Sequence, residues 1–345
     1  MKLSKKQMVL SLMGTMLLTS VALTGCGSSK GVSKEGASSA KPAPIVIRLG
    51  DVVAEDNPET TAEKFFAKRV SELTDGRYEV KVYSNAVLGP HTSMNKQVST
   101  GSLEMTVTSS ADLAEFDKSL SILSLPYLFD SKEKLFKAED GNLGKAYGAI
   151  AEKYGLKIIG FFDSGSRNIY NKKGPIQTPD DIKKQNLRLR AIANPVMIDT
   201  LNTLGAQTVP LNTSEIYNAI SQGVVDGAEN SITFYLTQKH NEIAQYFSLT
   251  NHFFSIDPFM VSLKWFNSLP ADIQKSITQA GEETIKFERE EWAKVEEENF
   301  KKAESLGAKI NKDVDIAAFQ KKVQPVWEKY GTQFGELYQI LKDSQ

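Results

Sequence analysis

One cysteine and three histidines are all that the 345 residues hold of the side chains most used for disulfides, transition metals and nucleophilic catalysis. The histidines, His91, His240 and His252, include no i, i+4 pair that would seat a metal on one face of a helix. No Gly-x-x-x-x-Gly-Lys-Ser/Thr phosphate loop occurs, nor a Gly-x-Ser-x-Gly elbow or a Gly-x-Gly-x-x-Gly dinucleotide turn. The serines of Ser164-Gly165-Ser166 read as turn formers. Neither a metal nor an organic cofactor is expected, and an enzyme, though not excluded, would have left no fingerprint. Long apolar runs are also lacking: Met8 to Leu23 is too short to span a bilayer comfortably.

That short run belongs to the chain's start. Lys2, Lys5 and Lys6 precede it and Leu23-Thr24-Gly25-Cys26 closes it with small residues, the three-part pattern of a secretion signal over 1–25. Leu-Thr-Gly-Cys resembles the lipobox at which bacterial lipoproteins are cleaved and diacylated, so Cys26 is expected to carry a lipid anchor to the membrane. The tether 26–44, rich in Gly, Ser, Lys, Ala and Pro, cannot bury enough apolar surface to fold. An exported globule without cysteine must be held by its core rather than by disulfides. Without residues 1–25 the chain keeps 38 basic against 42 acidic residues, a charge of −4. That argues against nucleic acid as a partner and requires any bound anion to be caught by local cations.

From Ile45 the pattern alternates strand and helix. "IVIRLGD" (45–51), "RYEVKVY" (77–83), "LEMTVTSS" (103–110) and "LKIIGFFD" (156–163) read as strands, with helices at 59–76 and 94–100 between them. A helical region at 132–154 follows, and a short helix begins at Thr178-Pro179-Asp180-Asp181. "LRLRA" (187–191) is a strand, and 195–204 and 214–222 read as helices. Short strands separated by helices predict mostly parallel sheets, here two, and hence two α/β lobes. A long charged helix, 271–306, could brace both. Trp327, Tyr330, Phe334 and Tyr338 recur at helical spacing in the final helices 314–323 and 325–342, as core residues do.

Two arginines stand out for anion binding. In open α/β sheets ligands sit beyond the carboxyl ends of the strands. Arg190 lies at that end of 187–191, and Arg167 follows 156–163 through a glycine turn. Two guanidiniums meeting there can grip a planar carboxylate through paired charge-assisted hydrogen bonds. The residues alone leave open the plainer alternative that each pairs with a nearby acid. Arg188, nearer the strand's middle, reads as structural.

The stretches "GSRN" (165–168), "TPDDIKKQNLRLR" (178–190) and "SEIYNAISQGVVDGAEN" (214–230), in this order, resemble the central signature of the solute-binding receptors of TRAP transporters, the DctP family. The resemblance extends through "IRLGDVVAEDNP", "VYSNAVLG", "GSLEMTVTSSADL" and "LSLPYLFDS" to cover nearly all of 45–345. It implies a two-lobed, type II-like periplasmic-binding-protein fold with a hinged cleft and a long helix bracing both lobes. Lobe I would comprise 45–164 and 256–295, and lobe II 165–255 and 296–345. It further implies a receptor outside the cytoplasm that binds a small organic acid and passes it to TRAP-type permease subunits. By that likeness Arg190 and Arg167 clamp the carboxylate and Asn230 orients it, while Glu55, His91, Ser109 and Thr213 read the rest of the ligand. Asn57 stands where many sugar-acid receptors carry His, and "HFFSIDPF" (252–259) departs from the uronate-type pattern, with Phe254 a candidate pocket wall. The ligand stays open among a sugar acid, a 2-hydroxy or 2-oxo acid and a C4-dicarboxylate. An ABC-type binding lipoprotein and a secreted sugar-acid enzyme are the alternatives.

Overall fold

A computed structural model describes residues 42–345; the signal segment, Cys26 and all but the last residues of the tether lie outside the described residues. Nine strands are described: β1 (Ile45–Gly50), β2 (Tyr78–Tyr83), β3 (Met105–Val107), β4 (Leu156–Asn171), β5 (Arg188–Ala191), β6 (Gln207–Pro210), β7 (Gly227–Asn230), β8 (Tyr246–Ser262) and β9 (Lys309–Asn311). They join in one sheet of order β2-β1-β3-β8-β4-β7-β5-β6, with β9 added beside β8. The two separate sheets expected from the sequence are therefore one. β4 and β8, 16 and 17 residues long, pair antiparallel along most of their length and belong to both halves.

The sheet is mixed for the same reason. β1 pairs parallel with β2 and β3, and β5 pairs parallel with β6 and β7, while β3–β8, β4–β7 and β4–β8 are antiparallel. Short βα repeats build each half, and two long strands weld the halves together. Register shifts interrupt the β4–β8 ladder between Asp163 and Ser166 and again between Arg167 and Ile169. Such irregularities bend a strand and re-aim its side chains. Gly165, at φ +81°, permits the first; a Cβ there would sit 2.7 Å from Glu296 Oε1 and 2.9 Å from Ser231 Cβ.

Helix α1 (Pro58–Leu73) starts at Asn57, whose Oδ1 accepts a hydrogen bond from the Glu59 amide at 2.9 Å, and at Pro58, whose missing N–H costs nothing in the first turn. Its Ala62, Phe66 and Val70, four apart, pack on Ile47, Leu49 and Phe259 of the sheet. The long helix Ala271–Ser305 keeps one buried stripe through 35 residues, from Ile273 and Ile277 to Trp292 and Ala303. Its first half shares a core with Phe66 and Val70, and its last turns share another with Tyr170, Tyr235 and Phe247. The bracing role expected of it is what the packing displays.

The expected helical region 132–154 is two helices, Lys132–Asp140 and Asn142–Glu152, broken at Gly141. The end of the chain is likewise cut, at Gly335 with φ +57°, into Gln324–Tyr330, a short 3₁₀ turn and Glu336–Ser344. Tyr330 and Phe334 are core, as their spacing suggested.

Candidate functional site

The carboxyl ends of the parallel strands meet in the middle of the molecule. Val52 follows β1, Ser109 follows β3, Arg190 lies in the last turn of pairing of β5, Thr213 follows β6 and Asn230 ends β7. Between them lies a cavity of about 380 Å³ whose wall includes His91, Asp112, Arg190, Leu211 and Thr213. A smaller chamber of about 20 Å³ shares Val52, His91, Arg190, Ile192 and Thr213 with it and adds Ser109, Arg167, Asn230 and Asp257.

Arg190 alternates with Leu187 and Leu189, which are buried, and its own side chain is only 2% exposed. Its Nε donates to the Leu211 carbonyl at 2.8 Å and its Nη2 to Thr213 Oγ1 at 3.4 Å. No carboxylate of the described residues lies within ion-pairing distance, and burial lowers its pKa. It is a buried cation held by neutral oxygens. Arg188 points the other way, to Asp226, with Nη2 2.8 Å from Oδ1, and is structural as expected.

Arg167 is differently placed. It lies within β4 after the bulge rather than in a turn, because the strand expected to end at 163 continues to Asn171. Its Nη2 donates to Glu229 Oε1 at 2.7 Å and to the Glu229 carbonyl at 2.9 Å, and its Nε reaches the second carboxylate oxygen. Nη1 donates to Asn230 Oδ1 at 3.3 Å and to Ser255 Oγ at 3.2 Å. Burial alone would raise the pKa of Glu229, but the Arg167 guanidinium and the His252 ring beside it hold it down to about 2. Asn230 sits directly across from Asn168 in the β4–β7 ladder, which sets the Arg167–Asn230 contact.

His91, the first residue of helix α2 (His91–Thr100), is the third cation. Its Nδ1 lies 3.1 Å from Asp112 Oδ2 and its Nε2 lies 3.5 Å from Asp51 Oδ1. Burial opposes its charge, yet the two carboxylates carry its pKa up to about 10, so the ring is imidazolium at neutral pH.

Of the sequence-selected residues, Arg167, Arg190, Asn230, His91, Ser109 and Thr213 share one chamber wall. Glu55 does not join them: it pairs with Lys64 and accepts from Ser84 Oγ at 2.6 Å, 63% of its side chain exposed. Asn57 is used as the α1 cap, and Phe254 walls a side space of about 10 Å³ together with Ser109, Arg167 and Met197. Sequence reasoning passed over Glu229, Asp51, Asp112 and Asp257. Asp51 follows the apolar strand β1, a signal readable beforehand; the pairing of Asp112 with a histidine 21 residues away is not.

With this geometry in view, similarity to known proteins becomes specific. Residues 49–333 match the family model of bacterial extracellular solute-binding protein, family 7 (DctP). The chain belongs to that family. A solute-binding protein of Chromohalobacter salexigens is 32% identical over 289 residues, covering 84% of this chain and 85% of its own length. The crystal structure of the sugar acid binding protein DctPAm from Advenella mimigardefordensis, in complex with galactonate, matches with a TM-score of 0.83 at 30% identity, over 88% of this chain and 99% of that one. The C4-dicarboxylate-binding protein DctB of Bacillus subtilis is 26% identical over 87% of each chain. This family member thus has the two-lobed α/β architecture of its relatives and is an extracytoplasmic solute-binding protein. Among the described residues no helix is long and apolar enough to cross a membrane.

Proposed function

We propose that the protein is a lipid-anchored receptor that captures an organic acid and delivers it, unchanged, to TRAP-type permease subunits. Arg190 receives the ligand carboxylate, Arg167 completes the clamp by exchanging its longer Nη1 contacts to Asn230 and Ser255, at 3.3 and 3.2 Å, for the ligand, and Asn230 fixes the orientation. His91, Ser109 and Thr213 contact the remainder of the ligand. Glu55 and Cys26 have separate places: Glu55 lies at the lobe surface, and Cys26 holds the anchor. Lobe I (45–164 and 256–295) and lobe II (165–255 and 296–345) close over the guest by bending where β4 and β8 are irregular. One observation carries this reading. Arg190 is a guanidinium buried at the wall of both cavities with only neutral hydrogen-bond acceptors. A buried cation with no carboxylate in direct contact is costly, and a ligand carboxylate offsets that cost at the moment of binding.

Calorimetric titration of D-galactonate and D-galacturonate into the wild-type protein and Arg190→Ala tests it. Loss of at least about a hundredfold in affinity, with an unchanged circular dichroism spectrum, is expected. Equal affinity in the two proteins would remove Arg190 from the site. Mass spectrometry of the recovered ligand separates a receptor from the enzyme alternative, since only an enzyme alters what it binds.

A further inference from the structure

Acids outnumber bases around the cleft before any ligand arrives. Three cations, Arg167, Arg190 and His91, stand against four carboxyl groups, Glu229, Asp112, Asp51 and Asp257. Glu229 pairs with Arg167, and Asp112 and Asp51 lie on either side of His91. Behind them are three more buried acids, Glu59 and Glu63 of α1 and Glu288 of the long helix. Among the described residues, none of these three, nor Asp257, has a lysine, arginine or histidine nitrogen at ion-pairing distance.

Hydrogen bonds do not satisfy these acids. Glu59 accepts from Ser164 Oγ at 2.9 Å and Glu288 from the Asp163 amide at 2.9 Å, but the second oxygen of each is buried without a partner. Both oxygens of Glu63 and Oδ2 of Asp51 receive no donor either, although the two carboxyls lie within hydrogen-bonding reach of each other. Two carboxylates so placed only repel, whereas a carboxyl and a carboxylate join through a shared proton. Burial first, and the neighbouring acids after it, push Glu59, Glu63 and Glu288 well above the usual carboxylate range. Protons hold these acids neutral.

Asp257 differs because a ligand can reach it. It is 6% exposed, stands in the wall of the smaller chamber with Arg190, Arg167 and His91, and its Oδ1 has no partner. Burial and Asp51 push its carboxyl up, against the pull of His91, Arg167 and the Ser164 hydroxyl, to about 6. Glu59 adds its repulsion from α1. An anion seated on Arg190 brings a negative charge to that wall and shuts solvent from it, and both changes favour the protonated form. Protonation also supplies an O–H at a carboxyl group that has an unpaired oxygen.

We propose that the receptor takes up a proton with each ligand anion and that Asp257 receives it. This rests on the receptor reading above and goes beyond it, and it does not depend on which class of acid is bound. The sign follows from the linkage: where binding takes up protons, affinity falls as pH rises. Capture is favoured on the acid side of neutrality and release on the alkaline side.

Calorimetry of D-galactonate, L-malate and pyruvate with the wild-type protein between about pH 5.5 and 8.5, in phosphate and in Tris, whose ionisation enthalpies differ, counts the protons. Uptake of up to about one proton per ligand is expected, largest between about pH 6 and 7.5, with affinity falling there by up to about tenfold per pH unit. Equal heats in the two buffers with a level affinity overturn the inference and leave the receptor reading standing. Binding of none of the three acids overturns both. The place of uptake is read by carbon-13 NMR of protein labelled at its aspartate carboxyl groups, the Asp257 signal being the one missing from Asp257→Asn. Its midpoint should lie at about 6 without ligand and move up by at least about one pH unit with it. Proton uptake with an unmoved Asp257 signal would overturn the role given to Asp257.

Discussion

The guanidinium of Arg167 and the carboxylate of Glu229 face each other across neighbouring strands, with Nη2 2.7 Å from Oε1 and both side chains buried. The pair joins β4, which runs through both halves, to β7, whose last residue is Asn230. A local ion pair thus sets the position of two of the residues proposed to hold the ligand. It also uses most of the hydrogen-bonding capacity of Arg167, which leaves Arg190 as the cation that a guest must satisfy.

Removing one partner of such a pair leaves an uncompensated buried charge. Glu229→Ala is expected to cost about 3–5 kcal/mol of stability in urea unfolding. Wild-type stability should share an acidic limb with this residue. The folded-state pKa of Glu229, about 2, lies below its ordinary value, so the contribution is complete above about pH 4.5 and fades as pH falls toward 2. Glu229→Ala should flatten that part of the pH profile; an equally steep profile would mean other groups dominate it.

His91 acts at the opposite end of the scale. Its folded-state pKa, about 10, lies above the ordinary value for imidazole. The stabilisation is complete below about pH 6.5 and is lost as pH rises toward 10, by up to about 1.4 kcal/mol per pH unit. Thermal melts of wild type and His91→Gln between pH 6.5 and 10 should show the variant losing less stability over this interval. Parallel curves would mean that the ring is neutral in the folded protein.

Neighbouring arginines on one strand should separate cleanly. Arg188 is half-buried and bound to Asp226, which Lys173 also holds at 2.9 Å. Arg188→Ala is expected to lower the melting temperature only slightly and to leave ligand affinity within about twofold. A hundredfold loss in that variant would place the anion on the wrong side of β5.

Gly227 opens β7, and a Cβ there would lie 2.0 Å from the Tyr170 carbonyl oxygen and 2.7 Å from Asn171 Cα. Neither backbone atom can move without breaking the β4–β7 pairing. Gly227→Ala is expected to destabilise the protein by at least about 2 kcal/mol and to weaken acid binding, because Glu229 and Asn230 ride on the same strand. Unchanged melting temperature would show that the strands separate more easily than their pairing implies.

Much of this was readable from the residues, and the misses have physical causes. β1, β2, α1 and the long helix carry strong period-two or period-3.6 patterns, so local signals place them to within a few residues. β8 escaped notice because Pro258 and the polar residues of "YFSLTNHFFSIDPFMVS" argue against a central strand, although Pro258 pairs opposite Phe161 there. β7 is only four residues long and contains a glycine. Overlooking both hid the single sheet. At the site, strand ends pointed to Arg190 and Arg167, and the family likeness pointed to Asn230, His91, Ser109 and Thr213. Glu55 lies away from the chamber because Lys64, nine positions along the same segment, and Ser84 engage it locally. The acids that saturate Arg167 and His91 depend on pairings across 62 and 21 residues, which no local pattern encodes.

The most direct measurement is a crystal structure of the protein with D-galactonate bound. The ligand carboxylate should lie within hydrogen-bond distance of the Arg190 guanidinium, about 2.7–3.2 Å. A carboxylate seated elsewhere, with Arg190 still bound only to Leu211 and Thr213, would contradict the central claim.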